Sequence, residues 1–416
     1  MSGRRRAALF GLVLAFSAAG PVTVGDPPPP AVAKASSGVV PPTAPPAGEA
    51  PQLAARAWAL IDATSGEVLA AHAVRRQLPI ASTTKLMTAY VALRELPLEK
   101  IVRAAPYEAE YGESLLGLRP GQRISVRDLL YGLILRSGND AAYDLARAAA
   151  GSERRFVSQM NRYAAALGLA HTHYANPIGL DQRGNHSSAG DLGALTRRLL
   201  RIPAFAKIAA SRRAELRSLR PPRRIETINE LLEMAPWVNG VKTGHTFGAR
   251  YVLVGSGRRK GVELIAVVVG TETDEERFDD TLALLEYGFS KYRKQVPIRA
   301  GKVLAKPAIA YTNDELELRA ARTAVVGTRP GQRLSVAVRA PREVEGPIRR
   351  GARLGRAIVR VDGLRAATVP LRAGRAVPKA SRLDRVRSVV EDNLLWIVLA
   401  LSAILIAAVV WRRLRR

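Results

Sequence analysis

A-S-T-T-K-L-M, residues 81–87, sets a serine and a lysine three positions apart where an apolar helical pattern begins. On a helix, positions i and i+3 share a face, so Ser82 and Lys85 project side by side. The pair is either a nucleophile with its base or an ordinary polar helix start. With 21 serines and 11 lysines in 416 residues, chance supplies roughly half of one such spacing. The pair acquires meaning only from what surrounds it.

Outward from this stretch, Arg56 to His72 reads as two strands about a Thr64-Ser65-Gly66 turn. Helical patterns span about 82–95, 126–150, 152–167 and 189–201. Tyr251–Gly255 and Glu263–Gly270 read as two more strands, with Gly257–Gly261 as their turn, and a helix near 274–292 follows. Strands, a helical block, then strands and a helix predict an α+β domain on an antiparallel sheet. A second unit, about 297–378, carries short alternating runs at Leu334–Val338, Arg356–Val361 and Ala367–Leu371 between Gly and Pro turns. That pattern predicts a small β module.

Both ends point to a membrane. M-S-G-R-R-R followed by the apolar run Ala7–Ala19 and small residues reads as a signal peptide over 1–25. Residues 26–52, rich in Pro, Ala and Gly, read as an extended linker. Leu394–Trp411 holds 18 residues without a charge, about 27 Å as a helix, which is enough to span. Trp396 and Trp411 lie near its ends, and R-R-L-R-R follows, so residues 412–416 are expected in the cytoplasm and the rest outside. Residues 380–393 form a basic stalk before the span.

The net charge is +28, and there is no cysteine. The second fact excludes disulfides, a thiol nucleophile and Cys-based zinc sites. The first favours anionic partners: a wall polymer, an acidic lipid or a nucleic acid. No nucleic-acid partner is expected, because there is no zinc-finger spacing or aromatic RNA-binding motif and the basic residues are spread out. The unit at 301–380 has 17 Lys and Arg against 6 acids, about +11, so wall polymers or lipids remain candidate partners.

Two further motifs follow the opening one in order. Ser137-Gly138-Asn139 sits where the apolar run L-L-Y-G-L-I-L-R breaks, between two helices. Lys242-Thr243-Gly244 follows Asn239-Gly240 and leads into a strand. Alone, the first is an ordinary helix cap and the second an ordinary strand with a close-packing glycine. Together, S-x-x-K, S-x-N and K-T-G form a known signature. On these residues the chain resembles the low-molecular-weight penicillin-binding proteins, serine-type D-alanyl-D-alanine carboxypeptidases of the peptidase S11 type. S-G-N-D-A-A (137–142), N-P-I-G-L-D (176–181), S-S-A-G-D-L (187–192) and N-G-V-K-T-G-H-T (239–246) extend the likeness. The resemblance implies the serine β-lactamase/penicillin-binding-protein-like transpeptidase fold over 53–293, a C-terminal β domain over 297–378 and a transmembrane helix over 394–411.

A serine hydroxyl is a weak nucleophile and needs a base within hydrogen-bond reach. Lys85 serves if it is neutral, and burial or a second cation such as Lys242 makes it so. The resemblance assigns Ser82, Lys85 and Ser137 as catalytic. It assigns Asn139, Lys242, Thr243, Gly244 and His245 to the substrate. The backbone N–H groups of Ser82 and His245 would hold the oxyanion, and Ser137 would relay a proton to the leaving amine. Lys242 and Thr243 would bind the terminal carboxylate. The implied partners are peptidoglycan stem peptides, with β-lactams as covalent inhibitors; no cofactor or metal is implied.

One departure stands out. The family pattern K-T-G-x-T-x-x-A-G has Arg250 in place of its last glycine, which questions local geometry or substrate range. Rival readings are a D,D-endopeptidase, a β-lactamase and a wall-binding protein without catalysis. For the β-lactamase, the required glutamate is lacking: Glu226 lies 16 residues before Lys242 and is expected on the lead-in to that strand. His171-x-His173 is a weak metal candidate without a third ligand.

Overall fold

The computed structural model describes residues 50–415. The signal peptide and most of the linker expected over 1–52 lie outside the described residues. The sheet that positions the site has five strands in the order Val68–His72, Ala57–Asp62, Val262–Thr271, Arg250–Arg259, Val238–Thr246. Every neighbouring pair is antiparallel. Its central strand, V-E-L-I-A-V-V-V-G-T, is buried at nearly every position. That near-continuous apolar run is what a strand covered on both faces requires.

The coverings are helical. Asp274–Ser290 packs Leu284, Leu285 and Phe289 against Trp58, Leu60 and Leu264 on one face. Its start is a capping box: Thr273 Oγ1 accepts from Glu276 N–H, and the Glu276 carboxylate accepts from Thr273 N–H. On the other face, Lys85–Glu95 and Ala189–Leu200 join a core that includes Ile61, Val252, Val254, Ile265 and Val267. Helices Val126–Leu135, Asn139–Ala150 and Glu153–Ala166 extend that core away from the sheet.

Two expectations need correction. The opening motif is not one α-helical face: Ala81–Thr84 is a 3-10 turn, and the α-helix begins at Lys85. Three residues per turn eclipse i and i+3, which aligns Ser82 and Lys85 more closely than an α-helix does. Glu226 does not lead into the K-T-G strand. It ends a separate hairpin, Arg213–Leu216 with Arg223–Glu226, and the short helix Leu231–Met234 intervenes. There it is exposed and pairs with Arg213 at 3.0 Å. Sequence periodicity misses this hairpin and its counterpart Ile101–Arg103 with Arg123–Ser125, because both are too short to show a period.

After the helix Asp274–Ser290, a second five-stranded sheet runs in the order Val303–Ala305, Leu318–Ala320, Leu364–Ala373, Arg353–Val361, Leu334–Arg339. It has its own core around Leu316, Leu318, Val359, Val369 and Leu371. Arg329 ties it to the first unit through Glu67, and its guanidinium lies 5.6 Å over the Tyr292 ring. Tyr292 in turn donates to Asp62 at 2.6 Å. The helix Leu394–Leu414 is exposed, and Trp396–Leu414 is long and apolar enough to cross a membrane.

Candidate active site

The 3-10 turn presents Ser82, and the first residue of the following helix presents Lys85. Lys85 is fully buried, with Nζ 2.7 Å from Ser82 Oγ and donating to Ile178 O at 2.6 Å. Burial brings its pKa down to about 7, against the pull of the Glu113 and Asp140 carboxylates, which raise it.

Ile178 is placed by its own loop. Asn176 Oδ1 accepts from the N–H groups of Ile178 (3.2 Å) and Gly179 (2.6 Å), closing an Asx turn that aims the Ile178 carbonyl at Lys85. Gly179 has φ +93°, and a Cβ there would stand 2.0 Å from Ala81 O. Thr88 donates to Pro177 O at 2.6 Å and fastens the same loop to the Lys85 helix.

The K-T-G strand, Val238–Thr246, is the last strand of its sheet and lies against the 3-10 turn that bears Ser82. A Cβ on Gly244 would stand 3.0 Å from Ser82 N and 3.2 Å from Thr83 N, so a larger residue would press on this turn. Lys242 is buried and donates to Thr243 O at 2.7 Å. Its pKa is held well below the usual lysine value by burial, then by the Lys85 ammonium and the Arg277 guanidinium. Burial is the leading cause at both amines, and their mutual repulsion disfavours charging the two together. His245 is exposed and stacks on Tyr251 with ring centroids 4.2 Å apart.

Ser137-Gly138-Asn139 joins two helices, as the break in apolar pattern predicts. Ser137 is buried with φ +58°, a left-handed conformation that costs a non-glycine residue about 1–3 kcal/mol. Such strain is characteristic of functional turns. A Cβ on Gly138 would stand 2.9 Å from Leu116 N, which explains glycine where a β-lactamase has aspartate. Asn139 Nδ2 donates to Glu113 Oε2 at 2.7 Å, and Asn139 Oδ1 is buried without a partner.

Three contributors escaped sequence reasoning. Glu113 lies 26 residues before Asn139 and carries no motif. Arg277 donates to Gly244 O at 3.1 Å, stacks 5.2 Å over the Tyr251 ring, and sits one helix beyond the sheet. Asp181, quoted above only as part of N-P-I-G-L-D, accepts from Thr246 Oγ1 (2.7 Å) and Gly248 N (2.8 Å) and fixes the end of the K-T-G strand. Arg250 takes φ +58°, the conformation that the family's glycine adopts freely, and its exposed side chain lies 3.5 Å from Glu272. His171 and His173 do not converge: His173 stacks on His186 at 6.2 Å, and no group of three metal-ligating side chains occurs among the described residues.

Comparisons with known proteins give the family and the fold. A family model described as D-alanyl-D-alanine carboxypeptidase matches residues 44–273. The D-alanyl-D-alanine carboxypeptidase DacF of Bacillus subtilis is 30% identical over 348 residues, covering 81% of this chain and 90% of the relative. DacC of Escherichia coli is 39% identical over 264 residues, covering 60% and 65%. Among solved structures, penicillin binding protein 6B from Escherichia coli superposes with TM-score 0.57 at 30% identity, covering 79% of this chain and 98% of that one. Penicillin binding protein 5 from Haemophilus influenzae gives 0.56 at 28% identity, covering 80% and 100%. With the S-x-x-K pair in contact, a K-T-G edge strand beside it and the match running through both, the chain belongs to the D-alanyl-D-alanine carboxypeptidase family of low-molecular-weight penicillin-binding proteins.

Proposed function

We propose that Ser82 removes the terminal D-alanine from peptidoglycan stem peptides through an acyl-enzyme, with Lys85 as its base. The 2.7 Å contact between a fully buried amine and the Ser82 hydroxyl carries this reading. A lysine whose pKa is about 7 is largely neutral just above neutrality and accepts the hydroxyl proton. Ser82 Oγ then bonds to the carbonyl carbon between the two D-alanines. The C–N bond breaks, and the leaving amine takes a proton relayed by Ser137. Water attacks the ester with Lys85 again as base, releasing the shortened peptide and restoring the Ser82 hydroxyl.

The K-T-G strand is the last of its sheet, so its outer side has no strand neighbour, and the stem peptide pairs there as an extended strand. Lys242 and Thr243 receive the terminal carboxylate, whose charge favours the Lys242 ammonium. Asn139 and Gly244 border the peptide, and the N–H groups of Ser82 and His245 hold the oxyanion. A β-lactam presents the same amide in a ring, so it acylates Ser82. Mass spectrometry of the extracytoplasmic part after penicillin treatment should show one adduct, mapped to the peptide containing Ser82, with little nitrocefin turnover. An adduct elsewhere, or rapid turnover, would remove this assignment.

The apolar helix Leu394–Leu414 anchors the chain to the membrane in a single span, with residues 50–393 outside and the terminal arginines in the cytoplasm. The basic module over 297–378 then faces anionic wall polymers or lipid head groups. Its co-sedimentation with wall fragments should weaken between 50 mM and 500 mM salt, as an electrostatic contact must. Salt-independent sedimentation speaks against that contact.

A further inference from the structure

We infer that Glu113 is a positioning residue of the active site: it fixes the orientation of the Asn139 amide and sets the charge balance around Lys85. The inference rests on the proposed roles of Ser82 and Lys85 and deepens them. Glu113 lies on the irregular segment between Ala105 and Leu118, which sequence periodicity leaves unread. Its Oε2 accepts from Asn139 Nδ2 at 2.7 Å and from Tyr107 OH at 2.5 Å, and its Oε1 accepts from Glu110 N at 3.0 Å. An ionised carboxylate only accepts hydrogen bonds. The Asn139 amide must therefore turn its NH2 group towards Glu113, which leaves Oδ1 as the opposite end.

Oδ1 is buried and has no partner. A buried acceptor without a donor is unfavourable, unless something outside the resting protein supplies the donor. The donors available to this site during the reaction are the substrate amide N–H and the Lys85 ammonium formed on proton uptake. Glu113 thereby keeps an acceptor ready for a donor that arrives only with substrate or turnover.

The segment that carries Glu113 is itself anchored to the S-G-N turn. Asp140 accepts from the N–H groups of Leu116 (2.8 Å), Gly117 (2.7 Å) and Leu118 (2.9 Å). Asn139 N donates to Ser114 O at 2.8 Å. Glu113 and Asn139 therefore move as one body with the helix that follows. The amide is pinned from a rigid base, and a flexible surface loop would not hold it so.

The charge argument is separate. Four elements carry the charges around Lys85: Glu113 on the irregular segment, Asp140 on the helix Asn139–Ala150, Lys242 on the edge strand and Arg277 behind Lys242. The loop that contributes Ile178 adds only a carbonyl. The two carboxylates favour the Lys85 ammonium, and burial opposes it. Removing the Glu113 charge leaves Asp140 alone on the carboxylate side, so the amine becomes neutral at lower pH.

The test uses Glu113→Gln and Glu113→Ala in the penicillin acylation reaction from pH 5 to 9, with thermal melting as the folding control. Glutamine offers both a donor and an acceptor, so the Asn139 amide is free to invert. The expected result is a drop of about 10-fold or more in the acylation rate constant at the optimum, with the acid limb moved down by about half a unit to one unit. Both variants should melt near the wild-type temperature. Rates and limb unchanged in folded variants would overturn the inference. So would a uniform loss with an unmoved limb, which marks Glu113 as loop support only. Failure of the wild-type protein to form an adduct at Ser82 would be different: it would defeat the underlying assignment and not this one.

Discussion

Lys85→Ala should leave a folded protein whose acylation by penicillin is slower by about 10³-fold or more, the upper part of the range for losing a positioned general base. Among the described residues no other side chain is hydrogen-bonded to Ser82 Oγ. Lys85 Nζ is the group that contacts Ser82 Oγ, and Lys242 Nζ is turned to Thr243 O. Stopped-flow quenching or labelling by a fluorescent penicillin measures the rate, with Ser82→Ala as the unlabelled control. A wild-type rate in Lys85→Ala would dismiss the amine as the base. In the wild-type protein the rate should rise with pH through about 7, because the reactive form is the neutral amine and the folded pKa lies there.

The same burial has a cost in stability. A lysine lowered from 10.5 to about 7 on folding disfavours the folded state wherever the unfolded chain would be protonated. The unfolded state binds the extra proton between pH 7 and 10.5, so this contribution to stability rises with pH across that window. At neutral pH the penalty is on the order of 4 kcal/mol. Lys85→Met, which fills similar volume without a charge, should therefore melt higher than the wild type at pH 7 while remaining inactive. The gain is reduced by the partner that Ile178 O loses. A lower melting temperature would show that the amine is not held neutral by burial.

Gly179→Ala should destabilise the domain by about 3 kcal/mol or more and impair acylation together with it. Two terms add. At φ +93° an alanine pays the left-handed penalty of about 1–2 kcal/mol. Its Cβ would also stand 2.0 Å from Ala81 O, a backbone atom one residue before the nucleophile. Relief needs the Ile178 carbonyl or the nucleophile turn to move, and overpacking of this kind costs about 1–3 kcal/mol more. Either movement breaks the Lys85 contacts at 2.6 and 2.7 Å. Thermal melting and the acylation rate read the two effects separately; an unchanged melting temperature would mean that the loop yields freely.

Much of the site was legible because its chemistry is local. Ser82 and Lys85 are neighbours by spacing alone, whether the turn is α or 3-10. The break at Ser137–Asn139 shows where a loop between helices must lie, because the apolar period stops there. The strands Arg250–Arg259 and Val262–Thr271 show in part through the apolar runs 251–254 and 264–269, but residues 257–259, expected in the turn, continue the first strand, and the turn is Lys260–Gly261. Glu113 and Arg277 were not legible. Each reaches the site from a segment with no motif and no periodicity of its own, and only the packing of distant elements decides which polar side chain ends there.

The order of the motifs, the class of fold and the proximity of Ser82 to Lys85 were legible in the sequence by itself: the first two follow from the succession of patterns along the chain, the third from spacing within one turn. Tertiary structure decided the protonation of that amine. Burial and charge act through space: a helix, an edge strand, the Ile178 loop and the segment bearing Glu113 meet around Lys85 from positions as far apart as 85, 113, 178 and 242. Distance along the chain carries no information about the dielectric surroundings of a side chain, and those surroundings are what lower the pKa of Lys85.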